Sequence, residues 1–350
     1  MKLERVTLRD EGAIEEWDSF VESHPSATPY HLSNWLKTIH ETYSFDPLLI
    51  LARENNGSLA GIFPSFGIRR YFSRPRVVSI PFSDYGGPLL SNSLREADFL
   101  LRLREQFPEK LKCLEIRGGL QSPEMFTRYD YYKRHTINLQ SGIDAIRDRI
   151  DKKTILYSIR KAERAGVEVR QENSRLALKE FCRLNALTRK KHGMPTQPRF
   201  FFENLFDSTV VKNRAFIVVA RHESRAIAAS FFLIVGKMIH YKYSASDPYY
   251  VKTFAPNHLL TWSVINWGAS QGYHELDFGR TSPDNIGLIR YKNMWGMEDV
   301  DLPYYYYPKI KGAASTKERG RFYRCFTSLW RHLPFSVTEL LGAHFYRFLG

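Results

Sequence analysis

The spacing of apolar and polar positions divides the chain into alternating helical and strand-like segments. Ile14, Trp17, Phe20 and Val21 recur at helical intervals, and His24-Pro25-Ser26-Ala27-Thr28-Pro29 ends that helix. Ser33-Asn34-Trp35-Leu36 opens a second helix that packs through Trp35, Leu36 and Ile39. The apolar runs 48–52 and 59–66 flank Asn55-Asn56-Gly57, which predicts a hairpin. Strand-like Val77-Val78-Ser79-Ile80 then meets Pro81-Phe82-Ser83-Asp84-Tyr85-Gly86-Gly87-Pro88, whose glycines and prolines forbid regular structure and let backbone approach a ligand. Residues 97–103 are helical.

Ile143, Ile146 and Ile150 form an apolar helical stripe that Leu156 and Ile159 continue past Lys152-Lys153, with Gly166 as a C-terminal cap. The opposite face carries Lys152, Lys153, Arg160, Lys161 and Arg164, so a single basic helix is expected here. Val167-Glu168-Val169 alternates like a strand. Residues 176–192 read as a helix stopped by Gly193-Met194-Pro195, residues 216–245 as successive strands, 257–270 as a helix, and Glu275-Leu276-Asp277-Phe278 as a strand giving way to a loop at Asp277 and Arg280.

These segments repeat. Leu48-Leu49-Ile50-Leu51-Ala52-Arg53, a turn and Leu59-Ala60-Gly61-Ile62-Phe63 lead to Leu114-Glu115-Ile116-Arg117-Gly118. Phe216-Ile217-Val218-Val219-Ala220-Arg221, a turn and Ala226-Ile227-Ala228-Ala229-Ser230 lead to Leu276-Asp277-Phe278-Gly279 in the same order. The interval, about 165 residues, is too long for a solenoid and marks tandem domains. Strand pair, crossover, helix, strand is the order of an α/β domain with a mixed sheet flanked by helices. The expected divisions are 1–140, 141–310 and a tail, 311–350.

Composition narrows the functional class. At 350 residues, two cores of ordinary size fit the chain. Cys113, Cys182 and Cys325 are odd in number and lack metal-ligand spacing, so neither a disulfide framework nor a metal site is expected. The N-terminus has no apolar signal core, and no apolar run reaches the roughly 18 residues of a spanning helix, so a cytoplasmic protein is expected. The net charge is +14 and unevenly spread: residues 147–170 hold eight basic and four acidic side chains, 183–199 five basic and no acidic, and 309–350 eight basic and two acidic. Such a field attracts polyanions, whether tRNA, phosphorylated lipid or an anionic membrane surface, or it is simply a solvated lysine-rich face.

The densest candidate chemistry is Leu276-Asp277-Phe278-Gly279-Arg280-Thr281, followed by Ile289-Arg290-Tyr291-Lys292-Asn293-Met294-Trp295-Gly296. Asp277 and Arg280 stand at a strand end, where α/β sheets expose ligand-binding groups. Lys292 follows, able to hold a phosphate or steady a developing oxyanion. The plain alternative is a surface Asp-Arg pair. Asp277-Phe278-Gly279 matches the kinase metal-binding triplet in letters only, because no Gly-rich loop and no His-Arg-Asp loop accompany it. His192 is either a general base or a helix cap, and no partner carboxylate stands at a telling spacing. Tyr241 and Tyr243 alternate on one strand face, lining a cleft or filling the core.

Asp277-Phe278-Gly279-Arg280 with Tyr291-Lys292-x-x-Trp295-Gly296, and Lys161-Ala162-x-x-Ala165-Gly166 upstream, resemble the FemAB family, peptidyltransferases of tandem acetyltransferase-like (GNAT) fold. His24-Pro25-x-Ala27-Thr28, Gly61-Ile62-x-Pro64 and Ile80-Pro81-Phe82-x-Asp84-Tyr85-Gly86-Gly87 resemble a branch of that family found beside exopolysaccharide and exosortase systems. The resemblance implies an α/β protein of two tandem GNAT-like domains that transfers an aminoacyl group from tRNA to an amine of a cell-envelope or exopolysaccharide precursor. It implies that Lys292 steadies the acyl carbonyl, and that Asp277 orients the acceptor or receives its proton. Lys161 and Arg189 would meet phosphates of tRNA or of a lipid-linked acceptor. Arg280, Tyr291, Trp295, Tyr243, His192, Asp84 and Tyr85 complete the expected substrate-binding set, with no tightly bound cofactor.

The chain lacks the long helical-hairpin insertion of some family members and ends in a basic aromatic tail, suited to peripheral contact with an anionic membrane or to packing on the fold. Two rivals stand beside aminoacyl transfer. An acetyl-CoA-dependent N-acetyltransferase of this fold would cradle pyrophosphate on a glycine-rich loop before a helix, and 249–257 has no glycine. A non-catalytic module would keep the fold and use its basic surface to hold tRNA, lipid or polysaccharide.

Overall fold

The computed structural model describes residues 1–68, 75–107, 111–121, 124–308, 327, 328, 330–333 and 346. The expected tail, 311–350, therefore lies almost wholly outside the described residues. The chain divides into two compact units, Met1–Lys133 joined by the stretch from Asp301, and Arg134–Val300.

In the first unit, β1 (Lys2–Val6) leads to α1 (Glu11–Ser23) and α2 (Ser33–Tyr43), then β2 (Asp46–Arg53), β3 (Leu59–Ile68), β4 (Arg76–Val78), β5 (Leu89–Leu90), α3 (Glu96–Glu105) and β6 (Cys113–Arg117). The helix positions read from the sequence are the buried ones, with Ile14, Trp17 and Val21 inward on α1 and Trp35, Leu36 and Ile39 on α2. The Asn55-Asn56-Gly57 turn joins β2 to β3 in antiparallel register, with Leu51 opposite Ile62. β6 lies parallel to β4.

β7 (Thr127–Asn138) carries the chain into the second unit. There follow α4 (Ile143–Arg149), a π-helical turn (Lys152–Leu156), α5 (Tyr157–Arg164), β8 (Glu168–Gln171), α6 (Arg175–His192), α7 (Arg199–Leu205), β9 (Ala215–His222), β10 (Arg225–Val235), β11 (Met238–Ser246), α8 (Pro248–Phe254), α9 (Pro256–Ser270), β12 (Glu275–Thr281) and α10 (Ile286–Met294). β13 (Glu298–Tyr307) ends the described core, its last residues pairing with β6.

The two units repeat one plan. β1-β2-β3-β4-β6 and β8-β9-β10-β11-β12 have the same order, with three antiparallel pairings and then one parallel pairing. Each is a mixed sheet with helices packed on it, as the sequence repeat implies. The second core forms where Ile155, Ile159, Phe216, Phe232, Leu260, Val264, Leu276 and Trp295 meet.

One expected element is divided. The basic helix is not continuous: Ile150 is extended (φ −72°, ψ 137°), and the Asp151 side chain accepts from the Thr154 amide to begin a new turn. Asp151 also donates its own amide to the Met294 carbonyl, which holds the break. The apolar stripe survives because Ile146, Ile150, Ile155 and Ile159 still reach one core.

Candidate active site

The second unit opens where its parallel strands part. β11 and β12 pair at Met238 with Glu275, Ile239 with Leu276 and His240 with Asp277, and no further, although both strands continue. Gly279 has φ +64°, a left-handed conformation that costs a glycine little, and it bends β12 just past the last paired residue. Asp277 and Arg280 thus stand inside β12, which runs to Thr281, and the loop expected at Asp277 begins only beyond it.

Two charged side chains clamp this bend. Asp277, fully buried, accepts from the Gly279 amide at 2.6 Å and from Arg134 Nε at 2.9 Å. Lys292 on α10, only 2% exposed, donates from Nζ to the Phe278 carbonyl at 2.9 Å and the Gly279 carbonyl at 3.1 Å. Arg134 also pairs with Glu275, and His240 Nδ1 lies 3.4 Å from Asp277 Oδ2. Burial pushes the Glu275 carboxyl up despite Arg134 beside it. A cation and an anion therefore bracket the peptide unit between Phe278 and Gly279, where burial strengthens each interaction.

Aromatic and hydroxyl groups line the adjoining core. The Tyr241 ring meets Phe278 with centroids 5.3 Å apart, and its hydroxyl is 2.9 Å from Ser230 Oγ and 3.1 Å from Ser244 Oγ. Tyr291 lies against His258 and Trp295, with centroids at 5.7 and 6.3 Å. Burial pushes the Tyr291 hydroxyl pKa up, Tyr241 adds to this, and the nearby Thr261 and Trp295 side chains oppose it. Burial likewise lowers the pKa of His258 at the start of α9, which favours its neutral form.

Not every expected residue joins this group. Tyr241 and Tyr243 do not share a face: the register slips between Phe231 and Phe232, leaving Lys242 as an extra residue between them. Tyr243 turns instead to Phe181, Phe201 and Phe202 of α6 and α7. Lys161 donates to the Lys252 carbonyl at 3.2 Å, tying α5 to the end of α8. Arg189 lies over the Tyr346 ring, 5.9 Å from its centroid. His192 is the last residue of α6, and partial burial with Lys191, Arg189 and Arg331 nearby lowers its pKa. Trp295 is buried in the core beside Gly296, where φ is +65° and a Cβ would come within 2.9 Å of the Arg149 carbonyl oxygen, leaving no room for a side chain. Arg280 is half-buried on β12 past the bend.

Asp84 and Tyr85 belong to the first unit. Asp84 accepts from the Tyr30 hydroxyl at 2.6 Å, and its carbonyl accepts from the Tyr304 hydroxyl at 2.6 Å. Tyr85 packs with Leu302, Tyr304 and Tyr306. Here the parallel strands β4 and β6 also part, after Val78 and Glu115, but segment 79–87 folds back into the opening. Ser79 donates to the Glu115 carbonyl and Gly86 to the Arg117 carbonyl, both at 2.8 Å. The buried Arg117 guanidinium binds Glu115 and the carbonyls of Ile80 and Ser83. Burial pushes the Glu115 carboxyl up, but Arg117 and Arg76 outweigh it and hold its pKa at about 2. In the first unit the parting is thus filled by segment 79–87.

Arg134, His240, His258, Ser230 and Ser244 carry no motif that marks them in the sequence. A charged residue inside the tyrosine-rich β7, and a histidine inside the apolar start of β11, were the available signals.

This arrangement, a mixed sheet parted at its central parallel pair and stated twice, defines the tandem GNAT fold. Residues 151–293 match the acetyltransferase (GNAT) domain family. A tandem GNAT protein from the clavulanic acid biosynthesis pathway superimposes with a TM-score of 0.54 at 11% identity, covering 87% of this chain and 97% of that one. More closely, the crystal structure of FemX superimposes with a TM-score of 0.71 at 16% identity, covering 87% of this chain and 97% of that one. The UDP-N-acetylmuramoylpentapeptide-lysine N(6)-alanyltransferase of Weissella viridescens is 22% identical over 291 residues, 74% of this chain and 83% of that protein. The chain thus has the tandem GNAT fold and is similar to FemX and to this alanyltransferase.

Proposed function

We propose that this protein is an aminoacyltransferase that moves an aminoacyl group from an ester on tRNA to an amine of a cell-envelope precursor. The observation that carries this reading is the parting of β11 and β12 at the bend held by the buried Lys292 ammonium, within a chain similar to an alanyltransferase over most of its length. In the reaction the acceptor amine attacks the ester carbonyl, a C–N bond forms, the C–O bond to the ribose breaks, and the amine proton passes to the departing hydroxyl.

Lys292 supplies fixed positive charge at the base of the opening, where it steadies the oxyanion that develops on the acyl carbonyl. Asp277 acts as a positioning residue: its bonds to Gly279 and Arg134 hold the bend that presents Lys292. Tyr291 and Trp295 form the apolar wall beside His258, and Arg280 stands beyond the bend to meet a charged part of the substrate. The segment 249–257, where a coenzyme A enzyme would carry its glycine-rich loop, forms α8 and a left-handed turn at Ala255, which favours an ester donor over a pyrophosphate-bearing one.

The test is transfer of labelled alanine from alanyl-tRNA to UDP-N-acetylmuramoylpentapeptide, with a polysaccharide-precursor amine and acetyl-CoA as parallel acceptor and donor arms. An amide product from charged tRNA supports the reading. Transfer from acetyl-CoA alone, or no product from any pairing while the folded protein binds both donors, overturns it.

A further inference from the structure

The face of the second unit around the π-helical turn and α5 is basic. Arg149, Arg170, Arg175 and Arg221 all pair with carboxylates. Lys152, Lys153, Arg160 and Arg164 form no ion pair among the described residues, and all four are exposed. They surround an open depression of about 620 Å³ whose lining also includes Tyr157 and a single acid, Glu163.

The placement follows from the fold. Ile155, Ile159 and Ala162 turn inward to the core, so Tyr157, Arg160 and Arg164, spaced three and four residues apart, form one outward stripe. Tyr157 is 56% exposed, although a tyrosine ring ordinarily finds cover. Unpaired cations repel one another, and such a set is stabilised by a polyanion laid across it.

We propose that this face docks single-stranded RNA, the cations meeting its phosphates and Tyr157 stacking on a base. An exposed aromatic ring among backbone-neutralising cations is the arrangement such strands use. A lipid surface is disfavoured by the same residues, because an interfacial helix needs apolar side chains to insert and this stripe offers one tyrosine. The inference rests on the aminoacyl-tRNA reading above and adds to it a surface for the donor's unpaired end.

The experiment measures binding of deacylated tRNA, labelled with a fluorophore at its 5′ end, to the full chain by anisotropy across a salt series. The triple variant Lys153→Ala/Arg160→Ala/Arg164→Ala should bind at least 10-fold more weakly and lower the slope of log affinity against log salt by about 2, at ~0.7 per lost phosphate contact. Tyr157→Ala should weaken binding about 10-fold and Tyr157→Phe should restore it, a split that lost charge alone does not give. Thermal denaturation confirms that each variant is folded. Wild-type RNA binding with no effect in any variant overturns the surface and leaves the aminoacyl-tRNA reading standing. Failure of the wild type to bind tRNA defeats both. Loss of binding to phosphatidylglycerol vesicles in the triple variant, with RNA binding unchanged, overturns the RNA assignment in favour of a membrane.

Discussion

Replacing Lys292 by methionine, which keeps the length of the side chain and removes its charge, separates two effects that the structure joins in one atom. The Lys292 ammonium holds the Phe278 and Gly279 carbonyls at 2.9 and 3.1 Å, and the side chain is 2% exposed. Losing the donor leaves both acceptors short of a partner, at about 1–3 kcal/mol for each that stays dry. Water entering from the strand opening offsets part of this, so the expected loss is ~3 kcal/mol in all. For a unit of this size that lowers its melting temperature by about 6–12 °C, at 2–4 °C per kcal/mol. Removing one oxyanion-stabilising group costs about 100-fold or more in turnover. The assay is aminoacyl transfer under single-turnover conditions, 20 °C or more below the variant's melting temperature, normalised to folded protein. A variant that turns over within twofold of wild type refutes the charge argument. A variant that melts with wild type refutes the clamp.

Asp277→Ala strips one acceptor from Arg134, which keeps Glu275, and the acceptor from the Gly279 amide, which at about 1–3 kcal/mol for a buried donor left unmade should lower stability measurably; denaturant unfolding that matches wild type would show the pair to be dispensable. Glu115 titrates at about 2 when folded against an ordinary 4.5, so its contribution, about 3 kcal/mol, is complete above pH 4.5 and disappears as pH falls toward 2. His31, lowered to about 4 by burial and carrying hydrogen bonds to Gly87 and Thr28, acts with the same sign. Denaturation of Glu115→Gln between pH 2 and 7 should show a gap from wild type that closes in acid; a constant gap contradicts the assignment. Gly296→Ala forces a Cβ within 2.7 Å of Arg149 Cβ at a left-handed φ, which should cost ~2 kcal/mol or more, read as a lower melting temperature.

What could be read from the chain and what could not follow a physical division. The hairpin at Asn55-Asn56-Gly57, the inward positions of α1 and α2, and the Gly193 cap of α6 are local, set by periodicity and by residues that tolerate one backbone conformation. The repeat was legible for the same reason, since β2-β3 and β9-β10 are adjacent antiparallel pairs whose partners follow one another in sequence. The departures arise from tertiary contacts. Ile150 fits a helix by its spacing, and it is the Asp151 amide bond to the distant Met294 carbonyl that breaks the helix there. Tyr241 and Tyr243 obey the strand period of two, and one extra residue opposite β10 turns them apart. The motif around Lys292 drew attention as a cation for a phosphate or a developing oxyanion, yet in the fold its ammonium is held by the Phe278 and Gly279 carbonyls at the bend of β12. Both parallel pairs end in a parting of strands, and composition explains how they differ. Arg117 with Ser79, Ser83 and Glu115 supplies the polar groups that tie segment 79–87 into the first, whereas at the second Asp277 and Lys292 spend theirs on the bend of β12 itself.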